Sequence, residues 1–183
     1  MIERFGKNEI DAVVKSINKS SLLSGYTNKF LGGEILQKFE KEFAKFHNCK
    51  YGISVNSGTS ALFVAQLAAG IKKNTKVSIP SITFTATTSQ VIATGGTPNF
   101  IDIDPNSYCM DFNFKNKTKY VIPVHLLGHP CNFDMIKQMK ENQIFVIEDC
   151  AQAMGAKYKN KIVGNMGDCG IFSFQETKHI TTL

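Results

Sequence analysis

The sequence lacks long apolar runs, cysteine pairs and metal-binding spacings. None of its apolar runs approaches the roughly 18 residues that cross a bilayer, which argues against a membrane protein. Its five cysteines are odd in number and include no C-x-x-C pair, so we expect neither a disulfide framework nor a zinc knuckle. We therefore expect a reducing compartment, the cytoplasm. His125 and His129 are four residues apart, but they flank a predicted loop, and we expect no metal site.

Arginine is almost absent. Arg4 is the single arginine among 21 basic residues, and the formal net charge is +6. The lysines are scattered as singles and pairs, whereas a nucleic-acid-binding protein usually carries a basic stripe with arginines for bidentate contacts. The pattern therefore predicts a solvated lysine surface and no nucleic-acid partner, although a mild attraction for anionic ligands stays open.

What the sequence does contain is an alternation of apolar and amphipathic segments. Its composition, 43% hydrophobic and 20% charged, is typical of a globular protein with a packed core. The apolar runs predict strands at 51–55, 76–79, 98–103, 120–125, 144–148 and 170–174, and the amphipathic ones helices at 9–18, 34–46, 59–69, 83–94 and 134–141. This alternation predicts an α/β fold with a mostly parallel sheet and helices packed on it.

The residues after the sixth predicted strand, 175–183, carry polar groups with no later segment to pack against. A finished domain seldom ends on an unclosed loop at a sheet edge. From this pattern we expect a truncated chain.

A candidate phosphate site follows the first predicted strand, where residues 56–62 read Asn-Ser-Gly-Thr-Ser-Ala-Leu and open a helix. Helix N-termini present unpaired N–H groups, Gly58 permits close backbone approach, and Ser57 and Thr59 supply hydroxyls. The stretch is neither a Walker A loop nor G-x-G-x-x-G. A plain Ser/Thr helix cap explains it equally well.

An acid pair and a lysine follow two later strands. Glu148 and Asp149 end the fifth predicted strand and, because side chains alternate along a strand, should face opposite ways. One can therefore serve structure and the other a ligand, although an aspartate that caps a helix is an alternative. Lys178 follows Ser173 by five positions after the sixth strand. By itself it is most simply a surface lysine.

Together the three segments indicate one cofactor. A phosphate cradle, an acid and a lysine all follow strand ends of one predicted sheet, the edge where α/β proteins bind ligands. Pyridoxal 5′-phosphate (PLP) requires hydroxyls and a helix N-terminus for its phosphate, a carboxylate for its pyridinium nitrogen and an amine for its aldehyde. The sequence therefore predicts a PLP site.

The sequence resembles the DegT/DnrJ/EryC1/StrS group of sugar aminotransferases, in the fold type I class of PLP enzymes. The similar stretches occur in family order from about residue 20 to the end. They are Gly33-Glu with Glu42-Phe, Asn56-Ser-Gly-Thr-Ser-Ala-Leu, Pro80-Ser-Ile-Thr-Phe-Thr-Ala-Thr, Gly96-Thr-Pro-x-Phe-Ile-Asp-Ile-Asp, Val124-His-Leu-Leu-Gly, Glu148-Asp-Cys-Ala-Gln-Ala-x-Gly-Ala and Phe172-Ser-Phe-x3-Lys-x-Ile-Thr-Thr.

The resemblance implies a role for each matching site residue. Lys178 is implied as the lysine that bonds to the cofactor aldehyde and moves a proton, and Asp149 as the partner of the pyridine nitrogen. Phe84 is implied to stack on the cofactor ring, and Gln152 to lie beside its phenolic oxygen. The residues implied at the phosphate are Ser57, Gly58, Thr59 and Ser173.

The resemblance also implies the reaction. It is amino transfer to the keto group of a nucleotide-linked sugar, with glutamate as the usual donor, for lipopolysaccharide, other surface glycans or glycosylated metabolites. The family forms homodimers with shared active sites. Relatives that act as sugar 3-dehydratases carry histidine in place of the lysine, so Lys178 favours an aminotransferase.

The departure from the family is length. Residues 1–183 match the N-terminal part of the PLP-binding large domain, and the smaller C-terminal domain has no counterpart. The family's next sheet strand lies between the sixth and the first, so we expect a gap in the sheet of this chain. We expect residues 1–183 alone neither to fold stably nor to bind PLP well. Two alternatives remain: a non-catalytic remnant or interaction module of the family, and a small binding protein for a phosphorylated ligand.

Overall fold

A computed structural model describes residues 5–18, 32–112 and 118–182. By its contacts the chain divides into two compact units, Met1–Ser54 and Val55–Leu183. No helix in the described part of the chain is long and apolar enough to cross a membrane.

The first unit contains two amphipathic helices, α1 Lys7–Asn18 and α2 Glu34–Phe46. Both were predicted, α2 with its observed bounds. α1 buries none of its residues, and its apolar stripe is 49–64% exposed. The side chains of that stripe are Ile10, Val13, Val14 and Ile17.

The predicted strand at 51–55 is wrong. The structure has no strand there, and Tyr51 and Ile53 are 71% and 80% exposed. An apolar run becomes a strand only when a neighbour supplies hydrogen-bond partners. Among the described strands, none pairs with this segment.

The second unit is built on a parallel sheet. Its strands lie in the order β2-β1-β3-β4-β7, and every neighbouring pair is parallel. Their bounds are β1 Lys76–Pro80, β2 Thr97–Ile101, β3 Tyr120–Val121, β4 Phe145–Asp149 and β7 Cys169–Ile171. The predicted α/β class is confirmed, with five strands paired in this sheet where six were expected.

Helices pack on both faces of this sheet. They are α3 Gly58–Ala68, α4 Thr85–Ala93 and α5 Phe133–Glu141. Alternate residues of β4 enter separate cores: Val146 packs in the cluster that holds α5, and Ile147 in the cluster that holds α3 and α4. This is the two-sided burial that parallel strands require.

Two local features differ from the expectation. The strand predicted over 120–125 keeps its ladder only at β3, because Pro123 has no N–H to donate, and Val124 then forms an isolated bridge with Asp149. A short antiparallel hairpin, β5 Lys157–Tyr158 and β6 Lys161–Ile162, was not predicted.

Candidate active site

The carboxyl ends of the parallel strands share one edge of the sheet, and the candidate residues lie there. α3 begins at Gly58 beside the residues that follow β7, and the first turn of α4 reaches the end of β4. This edge is where open α/β sheets bind ligands.

Gly58 brings the start of α3 against the end of β7. A Cβ added at this glycine would lie 3.0 Å from Ser173 Cβ and 3.2 Å from the Phe172 carbonyl oxygen. Ser57 caps the helix, its hydroxyl oxygen accepting the N–H of Ser60 at 3.1 Å. The close approach places the first N–H groups of α3 beside the Ser173 hydroxyl, an arrangement suited to an anion.

Asp149 ends β4 with a buried carboxylate. Oδ2 accepts a hydrogen bond from the Thr87 hydroxyl at 3.0 Å, and Oδ1 accepts the N–H of Ala151 at 3.2 Å. Burial raises the pKa of Asp149, although these two bonds and the charge of Lys178 act against the rise. No helix begins directly after Asp149 within the described residues, so the helix-cap alternative does not hold.

Glu148 faces the other way, as strand alternation predicted. Its Oε2 accepts from His125 Nε2 at 3.0 Å and from the N–H of Gly164 at 2.9 Å, while Oε1 accepts the N–H groups of Met166 and Gly167 at 2.7 Å. Burial works to raise the pKa of Glu148, but the bonds from His125 and the loop outweigh it and leave that pKa below its usual value. Glu148 is therefore the structural member of the acid pair.

The His125 ring is also fully engaged. Its Nδ1 accepts the N–H of Cys131 at 2.9 Å, so the proton lies on Nε2 and points to Glu148. The ligand atoms of His125, Glu148 and Cys150 lie within 4.8 Å of one another, a spacing that suits a metal ion. Because hydrogen bonds already use the histidine and carboxylate lone pairs, the arrangement fits a polar network better than a metal centre.

Gln152 follows β4 and contacts the turn after β3. Its Oε1 accepts the N–H of Leu127 at 3.0 Å, in a 3₁₀ turn that spans Leu126–Gly128. A backbone N–H can only donate, so the atom of the Gln152 amide that faces Leu127 is the oxygen. The amide nitrogen Nε2 can then donate to another partner.

Lys178 lies on a turn after β7, where its backbone N–H donates to the Gln175 carbonyl oxygen at 2.8 Å. Its side chain is half-buried, and its charge lowers the pKa of Asp149. Phe84, the N-cap of α4, is 67% exposed, and Thr59 is also exposed. The structure thus brings Gly58 into contact with Ser173, and the charge of Lys178 acts on Asp149, whereas Phe84 and Thr59 are exposed.

The residues present fit PLP. Glycine at the start of α3 makes a cradle that a Cβ would fill, Asp149 offers a buried carboxylate, and Lys178 offers an amine. The fold and this set of groups are those expected of a PLP-binding protein built on a parallel sheet.

Comparison with known proteins assigns the chain to a particular family. The chain belongs to the DegT/DnrJ/EryC1/StrS aminotransferase family, which it matches over residues 7–183. The resemblance inferred from the motifs is confirmed.

Three relatives illustrate the match. GDP-perosamine synthase of Escherichia coli O157:H7 is 43% identical over 156 residues, 82% of this chain and 43% of the relative. The X-ray structure of the aminotransferase from Psychrobacter cryohalolentis is 36% identical with a TM-score of 0.88, over 97% of this chain and 45% of that one. GDP-4-keto-6-deoxy-D-mannose-3-dehydratase of E. coli with bound hydrated PLP is 28% identical with a TM-score of 0.87, over 98% and 47%.

The chain therefore spans about half the length of the relatives it matches. The cofactor expected from the sequence, PLP, is the one bound in the dehydratase structure.

Sequence reasoning missed two contributors to this edge. Thr87, whose hydroxyl bonds Asp149, lies inside the stretch 80–87 that supports the resemblance, but it received no role of its own. His125, which bonds Glu148, lies in the similar stretch that begins at Val124 and was considered as a metal ligand, but it too received no role of its own. The available signal was a polar side chain at an otherwise apolar helix or strand position, which requires a buried partner.

Proposed function

We propose that the protein carrying this chain is a PLP-dependent aminotransferase that delivers an amino group to the keto carbon of a nucleotide-linked sugar. Glutamate is the proposed donor, and the product serves lipopolysaccharide or another surface glycan. We place the reaction in the cytoplasm and the active site in a homodimer. The observation that carries the proposal is the buried carboxylate of Asp149 at the end of β4. Asp149 pairs in register with Ile171, one residue before the Phe172–Ser173 backbone that Gly58 contacts.

Each proposed role follows from the chemistry of the residue. PLP, when bound, supplies an electron sink that stabilises negative charge at the carbon that loses or gains a proton. Asp149 accepts the N–H of the cofactor's pyridine ring. Its negative charge favours the protonated form of the ring, because a nearby opposite charge stabilises a cation. Lys178 offers Nζ as the bonding amine and as the atom that carries the proton between sites.

The remaining residues position the cofactor. The N–H groups of Gly58 and Thr59 and the hydroxyls of Ser57 and Ser173 are proposed to bind the phosphate. Phe84 provides an exposed aromatic ring at the mouth, suited to stacking. Gln152, with its amide oxygen held by Leu127, is proposed to offer Nε2 to the phenolic oxygen.

The substrate class is supported by the names of the relatives. One is a GDP-perosamine synthase, and another is a dehydratase of a GDP-linked keto sugar. The donor, the glycan and the dimer rest on the family resemblance alone. Lys178 favours amino transfer over dehydration, because family members that act as 3-dehydratases carry histidine at that position.

The test uses the natural protein, purified from its source cell, and a Lys178→Ala variant of it. Borohydride reduction of the wild-type protein should fix PLP covalently to the peptide that contains Lys178, seen by peptide mass mapping. Lys178→Ala should lose this adduct and lower the rate of 2-oxoglutarate formation from glutamate and GDP-4-keto-6-deoxy-D-mannose by about 10³-fold or more. Lys73→Ala, an exposed lysine outside the site, is the matched control and should retain both.

Three other outcomes are informative. Adduct without amino transfer, but with loss of the sugar 3-hydroxyl, would indicate a dehydratase. Adduct without any turnover would favour the non-catalytic alternative within the family. Absence of PLP from the wild-type protein would contradict the proposal and favour a binding protein for a different phosphorylated ligand.

A further inference from the structure

Two threonines form a hydrogen-bond chain that ends on the Asp149 carboxylate. Thr83, two residues before α4, lies 2.9 Å from Thr87 between the two hydroxyl oxygens, and Thr87 in the first turn of α4 lies 3.0 Å from Asp149 Oδ2. Thr87 is fully buried and Asp149 is 5% exposed, whereas Thr83 is half-buried. The hydrogen-bond chain therefore leads from a partly exposed hydroxyl to a carboxylate that is almost fully buried.

The hydrogen-bond chain from Thr83 to Asp149 has one donor direction when Asp149 is ionised. Each threonine hydroxyl has one proton to donate. When Asp149 is ionised it can only accept, so Thr87 must donate to Oδ2, and Thr83 must then donate to Thr87. Both threonines are thus polarised toward the carboxylate, an alignment in which successive hydrogen bonds strengthen one another.

The carboxylate has few other donors. Oδ1 accepts the N–H of Ala151, and the titratable groups that bear on the pKa of Asp149 are His125 and Lys178. The His125 ring gives its one N–H to Glu148, so it is not a hydrogen-bond donor to Asp149. Thr87 is therefore the side chain that supplies a hydrogen bond to the acid at this edge.

We propose that Thr87, supported by Thr83, is a positioning residue that keeps the Asp149 carboxylate ionised and oriented toward the pyridine nitrogen of PLP. This inference rests on the proposed function, in which Asp149 is the partner of that nitrogen. Without the hydroxyl, burial favours the neutral acid, and a neutral acid cannot stabilise a protonated pyridine ring. Thr87 does not touch the reacting atoms; it acts through Asp149.

Valine tests the hydroxyl and leaves the packing in place. Thr87→Val has nearly the shape of threonine, and it keeps α4 apolar at a buried position, between the buried Ala86 and Val91. Thr87→Ser keeps the hydroxyl and removes a methyl group. If the hydroxyl matters, the serine variant resembles the wild type; if only packing matters, the valine variant does.

The experiment measures the cofactor rather than turnover. The natural protein and its variants are loaded with PLP carrying ¹⁵N in the ring, and the ¹⁵N chemical shift and the PLP dissociation constant are recorded at neutral pH. We expect the wild type and Thr87→Ser in the range of a protonated pyridine. We expect Thr87→Val to move toward the unprotonated range and to bind PLP about tenfold more weakly.

Thr83→Val provides a second measurement should the first valine variant not fold. It lies outside the helix at a half-buried position, and it should shift the ¹⁵N resonance in the same direction by a smaller amount. An unchanged ¹⁵N shift in Thr87→Val, or in Thr83→Val when Thr87→Val is unfolded, would overturn the inference while leaving the proposed function intact. A wild-type protein that takes up no PLP would overturn both.

Discussion

Gly58 lies where the start of α3 meets the residues that follow β7. An added Cβ would meet Ser173 Cβ at 3.0 Å and the Phe172 carbonyl oxygen at 3.2 Å, and a backbone carbonyl cannot move aside as the tip of a side chain can. The glycine is thus required by contact, not by its backbone angle. It lets the start of α3 lie close to Ser173, as the proposed phosphate site requires.

Gly58→Ala in the natural protein should therefore weaken PLP binding about tenfold, because the helix start must retreat from Ser173 and lengthen at least one charge-assisted hydrogen bond to the phosphate. Thermal stability should change little, because the higher helix propensity of alanine offsets the strain of the tight contact. A fluorescence titration with PLP measures the affinity. Val64→Ala, an exposed position on the same helix, is the control. Equal affinity in Gly58→Ala and wild type would show that the phosphate lies elsewhere.

The adjacent acids show how far residue-level reasoning extends. Strand alternation predicted that Glu148 and Asp149 face opposite sides, and their partners confirm it: the loop 164–167 with His125 for the first, Thr87 for the second. Which acid serves which purpose could not be deduced from alternation alone. It depends on the loop and the helix that tertiary packing brings to each face.

At the scale of elements, Glu148 joins β4 to the loop before β7 and to the turn after β3. Its two oxygens accept four hydrogen bonds, three of them from backbone N–H groups of residues 164–167. Backbone donors in a buried loop need acceptors, and a carboxylate is a strong one. The Glu148 side chain thus stabilises the loop before β7, the strand that Ser173 and Lys178 follow.

Glu148→Gln should lower the free energy of unfolding of the natural protein by about 3–5 kcal/mol at neutral pH, because the amide presents a donor where the loop needs an acceptor. Chemical denaturation with urea measures this. The control Glu141→Gln, an exposed position on α5, should change it by less than about 0.5 kcal/mol.

The same pair of variants tests the pH dependence. The pKa of Glu148 in the folded protein is below the ordinary value of 4.5, so its contribution is complete above that value and is lost as the pH falls through the lower, folded pKa. The difference in stability between wild type and Glu148→Gln should therefore shrink on acidification below about pH 4.5. A difference that stays constant down to pH 3 would mean that folding does not lower the pKa of Glu148.

At the scale of the whole molecule, apolar surface and sheet edge remain uncovered. The stripe of α1 is 49–64% exposed, Tyr51 and Ile53 are 71% and 80% exposed, and β7 ends the sheet with no further strand beside it in the described residues. Exposed apolar stripes and open edge strands favour association.

A polypeptide limited to residues 1–183 should therefore aggregate and bind PLP poorly. Sedimentation velocity should show species much larger than 20.3 kDa, and the PLP dissociation constant should be at least about tenfold above that of the natural protein, since the N–H donors and Asp149 would be less firmly held. The natural protein measured under the same conditions is the control. A stable 20.3 kDa monomer with the affinity of the natural protein would refute the prediction.

The amino-acid sequence by itself determined the class of fold, most of the helices and strands, and the types of residue at the ligand edge. It did so because a buried parallel strand demands an apolar run and a packed helix demands an apolar face, both of which are local patterns. The bounds of α2 followed from such a pattern.

Tertiary structure decided the rest. Residues 51–55 have a strand's composition but no strand, because pairing depends on a neighbour rather than on composition. Thr87 bonds Asp149 across 62 positions of sequence, and His125 bonds Glu148 across 23. No local pattern encodes such contacts; they exist only once the sheet brings the strand ends to one edge and removes the water that would otherwise satisfy these groups.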